Sequence, residues 1–227
     1  MTRILVVAPH PDDDVLGCGA MLARAFARGA AVRIVYVTDG AASHPSSQRF
    51  DGARLRALRE AEAARAVRRL GGKRTMLHFL RVADGTLEGL AGSERAAVAQ
   101  AVRAIVDAWQ PDTIFAPWRR DPHPDHIAVS AIVREIAATA APSPRLLEYP
   151  VWLPIRGTAT DAPAREEVRR IDFRAREDER RRKRYALLAH RSQTTGLIDD
   201  DPSGFVMSAE LIERFCAARE LFYEEVA

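Results

Sequence analysis

The sequence predicts an α/β fold, a mostly parallel β-sheet sandwiched by helices, with an irregular C-terminal part. Two observations carry this reading. Short apolar runs alternate with stretches of helical length through the first two-thirds of the chain. The first of those runs is continuous rather than alternating, as expected for a strand covered on both faces.

Residues 3–8 are the first strand, and 15–29 read as a helix that ends at Gly29, a plausible C-cap. Residues 32–37, Val-Arg-Ile-Val-Tyr-Val, are the second strand, followed by a polar loop from Asp39 to Ser47. A long Ala/Arg/Leu helix over 52–70 is closed by Gly71-Gly72. Residues 75–80 are a third strand, and a helix over 94–109 stops before Pro111. The fourth strand is 113–117, the helix after it runs to about 140, and 145–150 is a fifth strand. Residues 151–165 hold prolines and small residues and read as an excursion. Beyond it the spacing predicts an edge strand at 168–173, a charged helix over 174–190 and a terminal helix over 208–224.

A length of 227 residues fits one domain, 1–227, more easily than two. Charged residues make up 29% of the chain but nearly cancel, so a net charge of +3 carries no nucleic-acid footprint. The run Arg180-Arg181-Arg182-Lys183-Arg184 follows Glu177-Asp178-Glu179, an order that suits a solvated helix face. Cys18 and Cys216 are too few for a disulfide scaffold and read as buried thiols. The N-terminus lacks a signal-peptide layout, and no apolar run approaches the roughly 20 residues of a membrane span. The expectation is a soluble, cytoplasmic protein without stable membrane insertion.

The word His-Pro-Asp occurs twice, each time beyond an expected strand end: His10-Pro11-Asp12-Asp13 and His123-Pro124-Asp125-His126. In open parallel sheets ligands bind outside the carboxyl ends of the strands, so the two words can meet in space. Two imidazoles and a carboxylate for a metal, with a spare carboxylate and imidazole beside them, are the inventory of a metal-assisted hydrolase. A helix cap explains one aspartate of Asp12-Asp13-Asp14. It does not explain three adjacent carboxylates, whose repulsion a cation would relieve. His123 and Pro124 read as a cap with proline at the first helical position, which puts His126 in the first turn. His44, in the polar loop, is a candidate substrate contact. Gly17-Cys18-Gly19 lacks the third glycine of a dinucleotide fingerprint, and no Gly-x-Ser-x-Gly elbow is present.

With Ala8-Pro9, Leu16-Gly17-Cys18-Gly19, Val37-Thr38-Asp39-Gly40, Asp84-Gly85 and Ala189-His190-Arg191-Ser192-Gln193, these words resemble the PIG-L/LmbE-like family of metal-dependent de-N-acetylases. The resemblance spans most of the chain in the right order. It implies a Rossmann-like fold and hydrolysis of an N-acetyl group from a glucosamine unit in a small-molecule conjugate. It implies that His10, Asp13 and His126 ligate the metal, usually zinc, with Fe2+ or another divalent ion as alternatives. Asp12 would be the general base, His123 a protonated electrostatic partner and proton donor, and Asp125 the residue that tunes His123. Arg59 and Asp84 are further candidate sugar contacts. The chain departs from the family after Gly40, where Ala41-Ala42-Ser43-His44 stands in place of a glutamate, so sugar recognition at that loop does not carry over. Homo-oligomerisation is left open.

Other readings of the same residues are a phosphoesterase-like metal hydrolase and a non-catalytic metal-dependent sugar-binding module. Two histidines and a carboxylate also occur in non-haem iron oxygenases, though those sites sit on a different fold.

Overall fold

The computed structural model describes residues 2–226. In chain order the elements are β1 (Arg3–Ala8), α1 (Asp13–Ala27), β2 (Ala31–Thr38), α2 (Gly52–Leu70), β3 (Leu77–Val82), α3 (Gly92–Trp109), β4 (Thr113–Pro117), α4 (Pro124–Thr139) and β5 (Arg145–Tyr149). They continue with α5 (Leu153–Arg156), β6 (Val168–Arg174), α6 (Glu177–Leu187), α7 (Arg191–Thr194), α8 (Ala209–Phe215) and β7 (Arg219–Glu225).

The strands form one sheet in the order β3-β2-β1-β4-β5-β7-β6. The first five in that order are parallel, and β7 is antiparallel to both of its neighbours. Its pairing with β6 is a seven-residue ladder from Val168–Glu225 to Arg174–Arg219. The chain winds outward from β1 through β2 and β3, then returns to β1's other side at β4. That reversal opens a crevice beyond the carboxyl ends of β1 and β4, where the two His-Pro-Asp words sit.

Side-chain alternation along β1 divides the core. Ile4, Val6 and Ala8 face the layer that includes α1, α2 and α6, while Leu5 and Val7 face the layer of α3 and α4. Both sets are buried, which is why the run is apolar without a break. The two glycines of Gly17-Cys18-Gly19 serve packing on α1. A Cβ at Gly19 would come within 2.8 Å of Lys183 Cγ, and one at Gly17 would overlap the Tyr149 ring. α2 is capped by Asp51, which accepts from Arg54 N at 2.8 Å, and ends on Gly71 at φ 108°.

The terminal helix expected over 208–224 is half wrong. α8 stops at Phe215, and Arg219–Glu225 enters the sheet as β7. The physical reason is tertiary. The buried Glu220 carboxylate accepts from Ala20 N at 2.7 Å, Met21 N at 2.8 Å and Lys183 Nζ at 2.7 Å. Phe222 packs edge-on against Phe115, and Tyr223 against Trp118. Lys183 is accordingly buried, whereas Arg180, Arg181 and Arg182 of the same run face solvent. Cys18 and Cys216 are buried free thiols. Among the described residues no helix is long and apolar enough to cross a membrane.

Candidate functional site

The turn after β1 sets the first half of the site. Asp12 N donates to His10 O at 2.9 Å, and Asp12 takes φ 156°, a conformation costly for a residue with a Cβ. Arg59, reaching from α2, over-determines that turn. Its guanidinium donates to Gly40 O at 2.8 Å, and to Pro11 O and Asp12 Oδ2 at 3.0 Å. The second half is the N-terminus of α4, with His123 as cap, Pro124 at the first helical position and His126 one turn in.

The two halves meet. His10 Nδ1 lies 3.1 Å from Asp13 Oδ2, and His126 Nε2 lies 3.3 Å from the same oxygen. One donor atom from each of these three residues falls within 4.8 Å of the others. His126 Nε2 is buried without a hydrogen-bond partner and faces Asp13. An imidazole nitrogen left so, beside a second imidazole and a carboxylate, fits a divalent metal such as Zn2+. His10, His123 and Asp125 form a second, overlapping set of donors.

The outer nitrogens of both imidazoles are also held. His126 Nδ1 pairs with Asp121 Oδ2 at 2.7 Å. His10 Nε2 pairs with Asp84 Oδ1 at 3.0 Å and Asp125 Oδ2 at 3.1 Å. Such partners fix ring orientation and tautomer in metal sites. Asp125 also accepts from Gly85 N and Leu87 N at 2.9 and 3.1 Å. Its hydrogen bonds therefore support His10, where the resemblance implied that it tunes His123.

Charge is unevenly distributed. Burial pushes Asp12 up to about 7; the Arg59 charge opposes this and Asp13 adds to it. Burial would lower His126, but the Asp13 charge and the Asp121 hydrogen bond raise it to about 9. Asp84, despite burial, is held down at about 2 by His10. His123 is lowered to about 4 by burial and by the neighbouring His126 and His10. This environment disfavours the protonated form of His123 that the resemblance implied.

A cavity of about 410 Å³ opens onto these groups. Asp12, Asp84, His123 and Arg59 line it, but His44 does not. The His44 side chain is buried, its Nδ1 3.2 Å from Ser43 Oγ and its ring packed on Gly204. Trp152 and Arg156 around α5 and Phe205, which the sequence did not single out, also line the cavity, as does Gln193 on α7 from the Ala189–Gln193 word. Asp121, which holds His126, was also missed as a support.

A family profile described as PIG-L: GlcNAc-PI de-N-acetylase matches residues 5–137. A 2'-N-acetylparomamine deacetylase from Streptomyces fradiae is 31% identical over 151 residues, covering 62% of this chain. The match spans 54% of that relative's length. A deacetylase of teicoplanin biosynthesis shares the fold at a TM-score of 0.74 and 20% identity, covering 99% of this chain and 98% of that one. The teicoplanin deacetylase Orf2 in a zinc-inhibited form superposes at 0.71, with 20% identity and coverage of 99% of this chain and 98% of that one. An N,N'-diacetylchitobiose deacetylase from Pyrococcus horikoshii is 25% identical at a TM-score of 0.63, covering 84% of this chain and 70% of that one.

Proposed function

The chain belongs to the PIG-L family, and from that premise we propose that it hydrolyses the N-acetyl amide of an amino-sugar conjugate with the help of a divalent ion. The observation that carries this reading is the His10–Asp13–His126 cluster, whose His10 and Asp13 line one open cavity together with Asp12. The similar proteins named as deacetylases support it.

His10, Asp13 and His126 would hold the ion, with zinc as the assignment. When bound, it supplies a Lewis acid that polarises the acyl oxygen and makes water acidic enough to attack near neutral pH. Asp12 is the general base. Its carboxyl lines the cavity, and a value near 7 lets it both take and return a proton at neutral pH. Arg59 keeps it in the strained turn and so aims it. As the water oxygen bonds to the acetyl carbon, Asp12 takes the water proton. As the carbon–nitrogen bond breaks, the same proton goes to the leaving amine, which leaves poorly without it. Neutral His123 donates an N–H hydrogen bond to the oxygen on which negative charge develops. Asp84 and Asp125 brace His10, and Asp121 braces His126.

The test is product stoichiometry. Zinc-loaded protein incubated with N-acetylglucosaminides should release acetate and free amine in a one-to-one ratio. Turnover of phosphate esters without amide cleavage would overturn the reading.

A further inference from the structure

The wall of the cavity away from His10 and His126 combines a flat aromatic surface with a free cation. Trp152 is half-buried, with Phe205 edge-on to it at 5.8 Å and Phe215 behind at 6.1 Å. The Arg156 guanidinium lies 4.7 Å from the Trp152 ring centroid, over its face. Among the described residues Arg156 makes no ion pair and no side-chain hydrogen bond, whereas the buried Arg59 in the same cavity pairs with Asp12 and two backbone carbonyls. The cation is thus held over an aromatic ring at the lining of the cavity.

This wall is built into the site. Trp152 N donates to the Asp121 carboxylate at 2.9 Å, with Val151 N and Leu153 N on the same group. Asp121 also holds His126. Phe205 is tied by its own backbone N–H to Ser43 O at 2.8 Å, across the cavity rim. The backbones of both aromatic residues are therefore tied to the walls of the site. Ser43, Pro45 and Ser203 also line the cavity.

We propose that Trp152, Phe205 and Arg156 form an aglycone subsite, and that the substrate is an amino-sugar conjugate whose aglycone has a flat apolar face and carries an anionic group. The assignment rests on the reaction proposed above. The ring stacks on Trp152 against the Phe205 edge, and a carboxylate or phosphate accepts from Arg156.

The experiment compares three glycosides of N-acetylglucosamine on zinc-loaded protein: para-carboxyphenyl, its neutral isostere para-carbamoylphenyl, and methyl. The expected order of kcat/KM is carboxyphenyl over carbamoylphenyl by roughly tenfold, the worth of one charge-assisted hydrogen bond. Carbamoylphenyl should exceed methyl by about three- to tenfold through stacking. Arg156→Gln should erase the first ratio and keep the second; Trp152→Ala should shrink the second. Equal kcat/KM for all three glycosides, or equal loss on all three in both variants, would overturn the subsite. If none is turned over, the proposed reaction fails, and calorimetric binding of the corresponding free-amine glycosides reads the subsite independently. The same order of affinities, with the same dependence on Arg156, supports it; indifferent binding overturns it.

Discussion

His126 Nδ1 and the Asp121 carboxylate meet at 2.7 Å, with both side chains fully buried. The pair joins a candidate metal ligand to the backbone of the cavity's aromatic wall, because the same carboxylate accepts from Val151, Trp152 and Leu153. Asp121→Asn replaces one acceptor oxygen with a donor facing other donors. Metal affinity should fall about 10- to 100-fold. A competitive chelator titration measures this, and an unchanged affinity would remove Asp121 from the metal's support.

Asp12→Asn keeps the shape of the turn but cannot take a proton. Turnover should fall about 10²- to 10⁴-fold with bound metal retained. Steady-state kinetics beside elemental analysis checks both halves. Full activity would assign the base elsewhere, and loss of metal would make Asp12 a ligand.

Glu220 docks β7 against α1 and neutralises the buried Lys183. Glu220→Ala strands the ammonium with only Leu16 O as partner and frees two backbone donors on α1. The expected loss is about 3–5 kcal/mol in urea unfolding. A change below about 1 kcal/mol would show that β7 is held by its aromatic contacts instead.

The sheet and the metal ligands were legible because their signals are local. β1 is apolar throughout because both of its faces are buried, and each His-Pro-Asp word lies beyond the end of a neighbouring central strand. β7 was not legible. Arg-Glu-Leu-Phe-Tyr-Glu-Glu suits a helix as well as a strand, and the deciding bonds from Glu220 reach residues 199 and 200 positions away. Trp152 and Phe205 were missed because each is placed by a distant polar group, Asp121 for one and Ser43 for the other. The burial of His44 was not legible either, because loop polarity says nothing about which way a ring turns. Asp125 hydrogen-bonds His10 rather than its sequence neighbour His123, on which it acts through its charge.

His190 is fully buried with neither ring nitrogen paired, and burial, with Arg59 and Arg65 adding to it, lowers it to about 3. The folded value lies below the unfolded value near 6.5, so the unfolded chain binds the proton first. Stability from this group is complete above about pH 6.5 and falls as pH drops toward 3. Between about pH 7 and pH 5 the loss should be about 2 kcal/mol in chelated protein. Urea unfolding at both values, compared with His190→Gln, isolates it: the variant should lose correspondingly less. Equal slopes would mean that the ring finds a partner for its charge.

The central claim is that His10, Asp13 and His126 hold the ion on which amide hydrolysis depends. The most direct measurement is amine release from an N-acetylglucosaminide before chelation, after it, and after zinc is restored, in wild type and His126→Ala. The account predicts that activity is abolished by chelation, regained with zinc in wild type, and not regained in a folded His126→Ala protein that binds no stoichiometric metal. Amine release that persists in fully chelated wild type, or that zinc restores equally in His126→Ala, would contradict it.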